Sequence, residues 1–228
     1  MPRSPGPALK RPVRALALAA FAALLASCAG GPPPPVWQAN AHAALNSHES
    51  AYLKGDTRIA ASEFARARSE ISRSGRGDLL ARAELVRCAA QVASLEFDDC
   101  PGYLAHEADA GAQERAYAAY LSGRWQGLDA AQLPAHHRTL PVSGPAALAG
   151  IDDPLARLIA AGALLRAGRI DPAGIAGAVN TASANGWRRP LLAWLGVQAK
   201  RAEDAGDREA AADIRRRMAI AGGEAPGR

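Results

Sequence analysis

The chain from Trp37 onward lacks the period-two pattern that strands require. Alanine is abundant there, and the alternation of Val, Ile and Thr with polar residues that is typical of a half-buried strand is missing. Apolar residues instead recur three or four positions apart, as Leu85, Cys88, Val92 and Leu95 do. A chain with helical periodicity alone must bury helix against helix. We therefore predict an all-α fold of antiparallel helical hairpins.

Glycine, proline and capping residues predict where the helices begin and end within a helical domain of residues 37–228. Asp153-Pro154 and Asp171-Pro172 each place a capping carboxylate before a proline at the first helical position. Residues 126–150 contain three prolines and are expected to form an irregular connection. The expected helices are 37–54, 57–73, 78–97, one within 105–122, 154–167, 172–185, 189–205 and 207–221.

A turn motif followed by a small–large–small spacing occurs near the start of the helical domain. Gly55-Asp56 is turn chemistry between two antiparallel helices. Ala60 and Ala67 let the second helix lie close to the first, and Phe64 fills the groove between them. The spacing recurs near the C-terminus as Gly206-Asp207, Ala211, Arg215 and Met218.

These two hairpins, residues 41–72 and 190–221, resemble the second half of a tetratricopeptide repeat, which places Gly-Asp, Ala, an aromatic residue and Ala at these intervals. Arg215 stands where the repeat has its aromatic residue. The resemblance implies an irregular tetratricopeptide-like array whose stacked hairpins offer a groove to a peptide or a helix. It identifies no specific family. A generic helical hairpin with Gly-Asp as its turn is the alternative.

The first 28 residues have the organisation of a secretory signal. A basic segment precedes a short apolar run, Ala15 to Ala26, which is too short to span a bilayer as a helix. The run closes on Leu25-Ala26-Ser27-Cys28, which resembles the lipobox of bacterial lipoproteins. The resemblance implies cleavage before Cys28 and acylation of its thiol, so that lipid holds the protein to a membrane. A buried cysteine in an apolar helix is the alternative.

In this interpretation, residues 1–27 are a signal peptide, and residues 28–36 are the lipidated cysteine and a Gly/Pro-rich linker. Pro32 to Pro35 favour an extended linker of about 3.1 Å per residue, which keeps the folded part close to the membrane surface. Position 29 is alanine and not the aspartate of an inner-membrane retention signal. This favours the periplasmic face of the outer membrane over the inner membrane.

Removal of the signal also removes most of the excess basic charge. The whole chain has 27 basic and 22 acidic residues. Four of the basic residues and none of the acidic residues lie in 1–27, so 23 and 22 remain, a net charge of +1. A nearly neutral chain gives no reason to expect a nucleic-acid partner.

With Cys28 acylated, Cys88 and Cys100 remain as a pair in an oxidising compartment. A straight helix would separate them by about 18 Å, so a disulfide requires the helix to end near Phe97 and the chain to turn back. Residues 98–102, Asp-Asp-Cys-Pro-Gly, are turn chemistry at that place. We predict a Cys88–Cys100 disulfide, with two buried thiols as the alternative.

No motif commits the sequence to catalysis or to a cofactor. It has no His-Glu-x-x-His, Cys-x-x-Cys, Gly-x-Ser-x-Gly or phosphate-binding loop, so we expect no metal and no cofactor. His136-His137 is expected to be a solvated pair in the irregular connection. Glu49-Ser50 resembles the Glu-Ser pair with which lytic transglycosylases cleave peptidoglycan, but the other motifs of those enzymes are absent. Glu49 is expected on the solvated side of the first helix.

One segment combines Trp and Arg, which is the composition of binding hot spots. Trp187, Arg188, Arg189 and Trp194 are therefore the candidate partner-binding surface. The same composition equally packs a terminal helix onto its neighbours, and this is the alternative.

Together these features lead us to expect a non-enzymatic periplasmic lipoprotein. It would act as a protein–protein interaction or scaffolding module in envelope assembly and bind another envelope protein, as tetratricopeptide-type lipoproteins in general do. The alternative is a peptidoglycan-acting envelope hydrolase of lytic-transglycosylase type.

Overall fold

The computed structural model describes residues 35–223, and this part of the chain consists of helices and short connections. It contains no β-strand, so the predicted all-α class is confirmed for these residues. Short 3₁₀ helices at Glu107–Asp109, Ala130–Gln132, Ala135–His137 and Gly144–Gly150 lie in the middle of the chain. The α-helices are α1 Val36–Lys54, α2 Thr57–Ser72, α3 Gly77–Ala93, α4 Pro101–Leu104, α5 Ala112–Leu121, α6 Leu140–Ser143, α7 Pro154–Arg166, α8 Pro172–Ala184, α9 Arg188–Asp204 and α10 Arg208–Gly222.

Consecutive helices pack on each other as hairpins: α1 contacts α2, α7 contacts α8, and α9 contacts both α8 and α10. In both Gly-Asp turns the glycine N–H donates to the carbonyl three residues earlier, and the aspartate N–H donates to the carbonyl five residues earlier. Gly55 and Gly206 have φ of +93° and +73°, the left-handed conformation that this helix ending requires. The two turns therefore share one backbone structure.

Capping aspartates begin helices α7 and α8. The carboxylate of Asp153 accepts a hydrogen bond from the N–H of Ala156 at 2.6 Å, and that of Asp171 accepts from Gly174 at 2.7 Å. Both caps are those that the Asp-Pro pairs predict. Asp56 precedes α2 without a side-chain cap, so its contribution lies in the turn and not in the helix start.

Helix α3 lies at the centre of the described chain, where it contacts α1, α2, α5 and α7. The α3–α7 contact is very close at Gly162, where an added Cβ would overlap the carbonyl oxygen of Val92. Trp194 of α9 is fully buried, and its indole N–H donates to the carbonyl of Ala93 at 3.1 Å. Helices from both halves of the chain therefore hold α3 in place.

The end of α3 brings the two cysteines together. The helix ends at Ala93, earlier than the predicted Phe97. Leu95 then takes a φ of +59°, in the position that glycine occupies after the Gly-Asp hairpin helices. The chain turns back from there, and Cys88 and Cys100 reach disulfide distance with their Cα atoms 5.7 Å apart.

The connection from α5 to α7 is built from 3₁₀ turns and the four-residue helix α6. Leu133, Leu140 and Leu148 are buried in the main core. Their burial removes apolar surface from water and so holds this proline-rich stretch against the helices.

The predicted signal peptide, Cys28 and most of the linker precede residue 35 and so lie outside the described residues. Cleavage before Cys28 and its lipidation stay predictions. Between residues 35 and 223, no helix has both the length and the apolar character that crossing a membrane demands.

Candidate functional site

The surface cavities of residues 35–223 differ in their chemistry. A cavity of ≈680 Å³ between α7, α8 and Gly144–Gly150 is lined mostly by Ala, Gly and Pro. Its two charged residues already have partners within the chain, because Arg157 donates to the carbonyl of Ile151 at 2.9 Å and Asp171 caps α8. The charged groups of this cavity are therefore already engaged within the chain.

A second cavity, of ≈490 Å³, lies between α1, α2 and α3 beside the start of α4. We call it the hairpin cavity. Small residues of α2 and the ring of Phe64 form its apolar part. Its polar lining residues are His48, Tyr52, Thr57, Arg68, Glu84, Arg87 and Gln91.

A buried carboxylate anchors the hairpin cavity. Glu84 of α3 is only 2 % exposed. One of its oxygens lies 3.3 Å from Nε of Arg68, and the other lies 3.0 Å from Nε of Arg87. Gly102 comes so close that an added Cβ would overlap this carboxylate. Because a buried charge is tolerated when it is paired, the two guanidinium groups hold Glu84 in place, and Glu84 in turn orients both of them.

Aromatic rings pack beside this charged group. The guanidinium carbon of Arg87 lies 5.5 Å from the centroid of the Phe64 ring, which is cation–π distance. The ring of His48 lies 5.0 Å from the same Phe64 ring. Burial, assisted by the positive charge of Arg87, lowers the pKa of His48 from its usual value of 6.5. His48 is therefore neutral at neutral pH.

Three polar side chains of the hairpin cavity, those of His48, Tyr52 and Gln91, each have a buried atom without a hydrogen-bond partner among residues 35–223. Nδ1 of His48 lies 2.9 Å from the carbonyl oxygen of Ala60. Since a carbonyl oxygen only accepts, Nδ1 carries the proton and Nε2 is an acceptor. Nε2 is buried without a partner among residues 35–223, and Oε1 of Gln91 is in the same state. Each such group costs about 1–3 kcal/mol, which a ligand N–H would recover.

The charged groups of the hairpin cavity line it together with the hydroxyl-bearing residue Thr57. Arg68 and Arg87 face one carboxylate, so this part of the cavity has a net positive charge. The hydroxyl of Thr57 already accepts a hydrogen bond from Nη2 of Arg189 at 2.6 Å. The neighbour of this hydroxyl is thus a cation and not a base of the kind that activates a nucleophile.

Arg189, predicted to belong to a partner-binding surface, makes internal contacts. Its Nε donates to the carbonyl of Tyr52 at 2.8 Å, and its Nη1 donates to the carboxylate of Glu96 at 2.9 Å. The guanidinium carbon also lies 4.3 Å from the centroid of the Tyr52 ring. Arg189 therefore ties α9 to the first hairpin.

The other residues of that predicted surface behave differently from one another. Trp194 is fully buried, and Trp187 is half-buried against the core. Arg188 is exposed, with its guanidinium over Gly55. The packing role that the sequence left open as the alternative fits the contacts of Arg189 and Trp194, and the partner-binding role of this segment stays a prediction.

Glu49 does not lie on the solvated side of α1, so that expectation is wrong. Its side chain is half-buried. Burial, together with the negative charge of Asp153, raises the pKa of Glu49 to about 7. Burial and the charge of Glu49 likewise raise the pKa of Tyr117. Glu49 therefore has the raised pKa that a catalytic acid of the transglycosylase type requires. It lines neither of the cavities described above, so it has no substrate cleft there.

The expected solvated histidine pair is also wrong for one of its members. His136 is exposed, whereas His137 is fully buried. Nε2 of His137 lies 3.0 Å from the carbonyl oxygen of Ala156, and its ring stacks on Tyr120 with centroids 4.9 Å apart. Burial lowers the pKa of His137 to about 4. The proline-rich connection thus supplies a core residue and not an exposed ligand pair.

Cys88, Asp98 and Cys100 form a group of possible metal ligands in the described chain, with their ligand atoms within 4.8 Å of one another. Two of these atoms are the sulfurs of the predicted disulfide. A disulfide leaves no thiolate for a metal, so the group belongs to the cysteine pair.

Sequence reasoning missed the hairpin cavity, although α3 carries a signal for it. Glu84 precedes Cys88 by four residues and therefore shares its apolar face. A charged residue on such a face requires a partner. The partner Arg68 lies on another helix, and local spacing does not reveal how two helices dock.

Comparison with protein families, with curated proteins and with solved structures finds no match for this chain.

Proposed function

We propose that the protein is a non-enzymatic, lipid-anchored periplasmic lipoprotein that binds another envelope protein and acts as an interaction or scaffolding module. The hairpin cavity carries the proposal. There, His48 and Gln91 offer buried acceptors beside the paired cations Arg68 and Arg87. Groups of this kind recognise a polar segment of another chain, and no nucleophile–base pair accompanies them in the cavity.

Lipid on Cys28 would hold this cavity at the periplasmic face of the outer membrane. The linker of residues 28–36 spans less than about 30 Å even when fully extended. The partner is therefore a protein at or near the same membrane surface.

Photocrosslinking in intact cells tests this proposal. A photoreactive residue at position 65 replaces Ala65, which is exposed and lines the hairpin cavity. A matched control carries the same residue in place of Arg217, which is exposed on α10. We expect crosslinks to an envelope protein from position 65, but not from position 217. We expect Cys28→Ala to abolish them because it removes the anchor. Equal crosslinking from the two positions, or none from position 65, contradicts the proposal.

A peptidoglycan-acting hydrolase of lytic-transglycosylase type is the second candidate, and one observation favours it. A pKa of about 7 suits Glu49 to general acid catalysis near neutral pH. Isolated sacculi incubated with the protein test this candidate. Release of muropeptides that disappears in Glu49→Gln would replace the scaffold proposal, and we expect no release.

A further inference from the structure

We propose that the hairpin cavity recognises a peptide carboxylate together with an adjacent N–H donor. The inference rests on the proposed function, because it names the chemistry of the partner segment that the cavity takes. The cations, the unpartnered acceptors and the shape of the cavity support it separately.

The cations supply the site for the carboxylate. Arg68 and Arg87 each contact Glu84 through Nε alone. Their terminal N–H groups donate to no other residue between 35 and 223. A guanidinium group has five N–H donors in a planar fork that matches the two oxygens of a carboxylate. One carboxylate in the cavity would also neutralise the charge that Glu84 leaves uncompensated.

The acceptors supply the site for the N–H donor. Nε2 of His48 and Oε1 of Gln91 are buried and lack donors in the described chain. His48 is 3 % exposed, and its ring and the guanidinium of Arg87 both lie against the Phe64 ring, at 5.0 and 5.5 Å. The acceptor therefore lies beside the cations, as the N–H of a peptide group lies beside the carboxylate of the same residue.

The shape of the cavity leaves room for such a group. Ala60, Ala61 and Ala65 line it from α2 with side chains of a single carbon. Gly102 closes on the far side of Glu84, where an added Cβ would overlap the carboxylate. Glu84 is therefore a positioning residue for the two arginines. The volume of the hairpin cavity, ≈490 Å³, is in the range of ligand sites.

The test follows side-chain NMR signals of the full chain in detergent micelles. The probes are N-acetylglycine, which has a carboxylate beside an amide N–H, acetate, which lacks the amide, and N-acetylglycinamide, which lacks the carboxylate. We expect N-acetylglycine to shift the signals of Arg68, Arg87 and His48. Acetate should bind about threefold more weakly, because it loses a neutral hydrogen bond, and N-acetylglycinamide about tenfold more weakly or worse, because it loses charged ones.

Two sources present this chemistry, the C-terminus of a chain and an aspartate side chain. The methylamide of N-acetylaspartate has no terminal carboxylate and so separates them. Tighter binding of N-acetylglycine assigns the chain terminus, and tighter binding of the aspartate derivative assigns the side chain. Either result supports the inference.

Matched variants keep the test independent of folding. Arg68→Gln alters a side chain that is 51 % exposed, so we expect the fold to tolerate it and the affinity for N-acetylglycine to fall about tenfold. Arg66→Gln is the control, because Arg66 lies on the same helix, is 52 % exposed and pairs with Glu63 outside the cavity. His48→Phe keeps a ring but removes Nε2, and it should abolish the preference for N-acetylglycine over acetate.

Three results overturn the inference: no shift with any probe, equal binding of acetate and N-acetylglycinamide, or equal effects of Arg66→Gln and Arg68→Gln. Crosslinking from position 65 without binding of N-acetylglycine overturns this inference and leaves the proposed function standing. Binding of N-acetylglycine without crosslinking from position 65 overturns the proposed function and leaves the carboxylate site standing.

Discussion

At the scale of single residues, Glu49 and His137 give the protein opposite pH dependences. Burial and Asp153 raise the pKa of Glu49 from 4.5 to about 7, whereas burial lowers the pKa of His137 from 6.5 to about 4. The folded state therefore holds more protons than the unfolded state at Glu49 and fewer at His137. As the pH rises from 4.5 to 6.5, Glu49 lowers the stability and His137 raises it.

Replacing Glu49 separates the two effects. We expect Glu49→Gln to raise the free energy of unfolding above pH 7 by on the order of 1–3 kcal/mol, because glutamine does not ionise in a half-buried position. The gain should shrink as the pH falls toward 4.5, where the carboxyl group is protonated in the folded state. Urea denaturation at a series of pH values measures it. A gain that is constant with pH contradicts the raised pKa.

His137 should make the protein sensitive to acid. Its neutral form is favoured in the folded state, so its contribution is complete above pH 6.5 and is lost as the pH falls toward 4, by about 3 kcal/mol. His137→Phe should have a lower free energy of unfolding at pH 7. Its stability should also depend much less on pH between 6.5 and 4, because phenylalanine does not titrate. His42→Gln, at an exposed histidine of α1, is the control and should leave this acid dependence in place. Thermal unfolding between pH 4 and 7 provides the comparison.

At the scale of elements, α3 shows what local sequence predicts and what it does not. The apolar spacing of Leu85, Cys88 and Val92 predicts its buried face, and all three are buried. Its end was predicted too late, because Leu95 is not a residue type that signals a helix stop. The carbonyl of Ala93 at that end instead accepts from Trp194, about a hundred residues away, and only the tertiary structure contains this contact.

Two helical glycines should respond in opposite directions to the same change. Gly162→Ala should destabilise the protein by several kcal/mol, because its Cβ would overlap the carbonyl of Val92 and push α3 from α7. Gly177 lies inside α8 with open space around it. Gly177→Ala should therefore stabilise by up to about 1 kcal/mol through helix propensity. Denaturation midpoints measure both, and equal effects would contradict the close approach.

Mass spectrometry after alkylation tests whether Cys88 and Cys100 form a disulfide. Alkylation of the unfolded protein without reductant should modify neither Cys88 nor Cys100, and prior reduction should add two alkyl groups. Two free thiols without reductant would contradict the disulfide. Cys100→Ser should lower the free energy of unfolding by about 3 kcal/mol, because a short closed loop no longer limits the unfolded chain.

At the scale of the whole molecule, contacts between the first hairpin, α1–α2, and the last hairpin, α9–α10, determine how the two hairpins pack on each other. The Gly-Asp turns predict both hairpins and their sharp reversals. They do not predict that α9 also contacts α1, because that contact depends on the docking of Arg189 and on the burial of Trp194. The hairpin cavity has the same origin, since its residues come from three helices and from Gly102.

Arg189 should be the main polar link between these hairpins. We expect Arg189→Ala to lower the free energy of unfolding by about 2 kcal/mol, because it removes the donor to the carboxylate of Glu96 and one of the two donors to the carbonyl of Tyr52, which also accepts from the N–H of Gly55. Arg188→Ala alters the exposed neighbour and should change stability by less than about 0.5 kcal/mol. Similar losses from both variants would show that Arg189 is not the link.

The link through Arg189 also sets an order of events during folding. Its bonds join positions that are 132 and 137 residues apart, so forming them requires a long loop to close. Contacts of such large sequence separation form slowly, whereas a two-residue turn brings its own helices together early. The first hairpin therefore forms early in folding but docks on α9 late. Until α9 has been synthesised, a nascent chain exposes the apolar surface that Trp194 and Trp187 later cover, and this interval is when it most needs protection from aggregation.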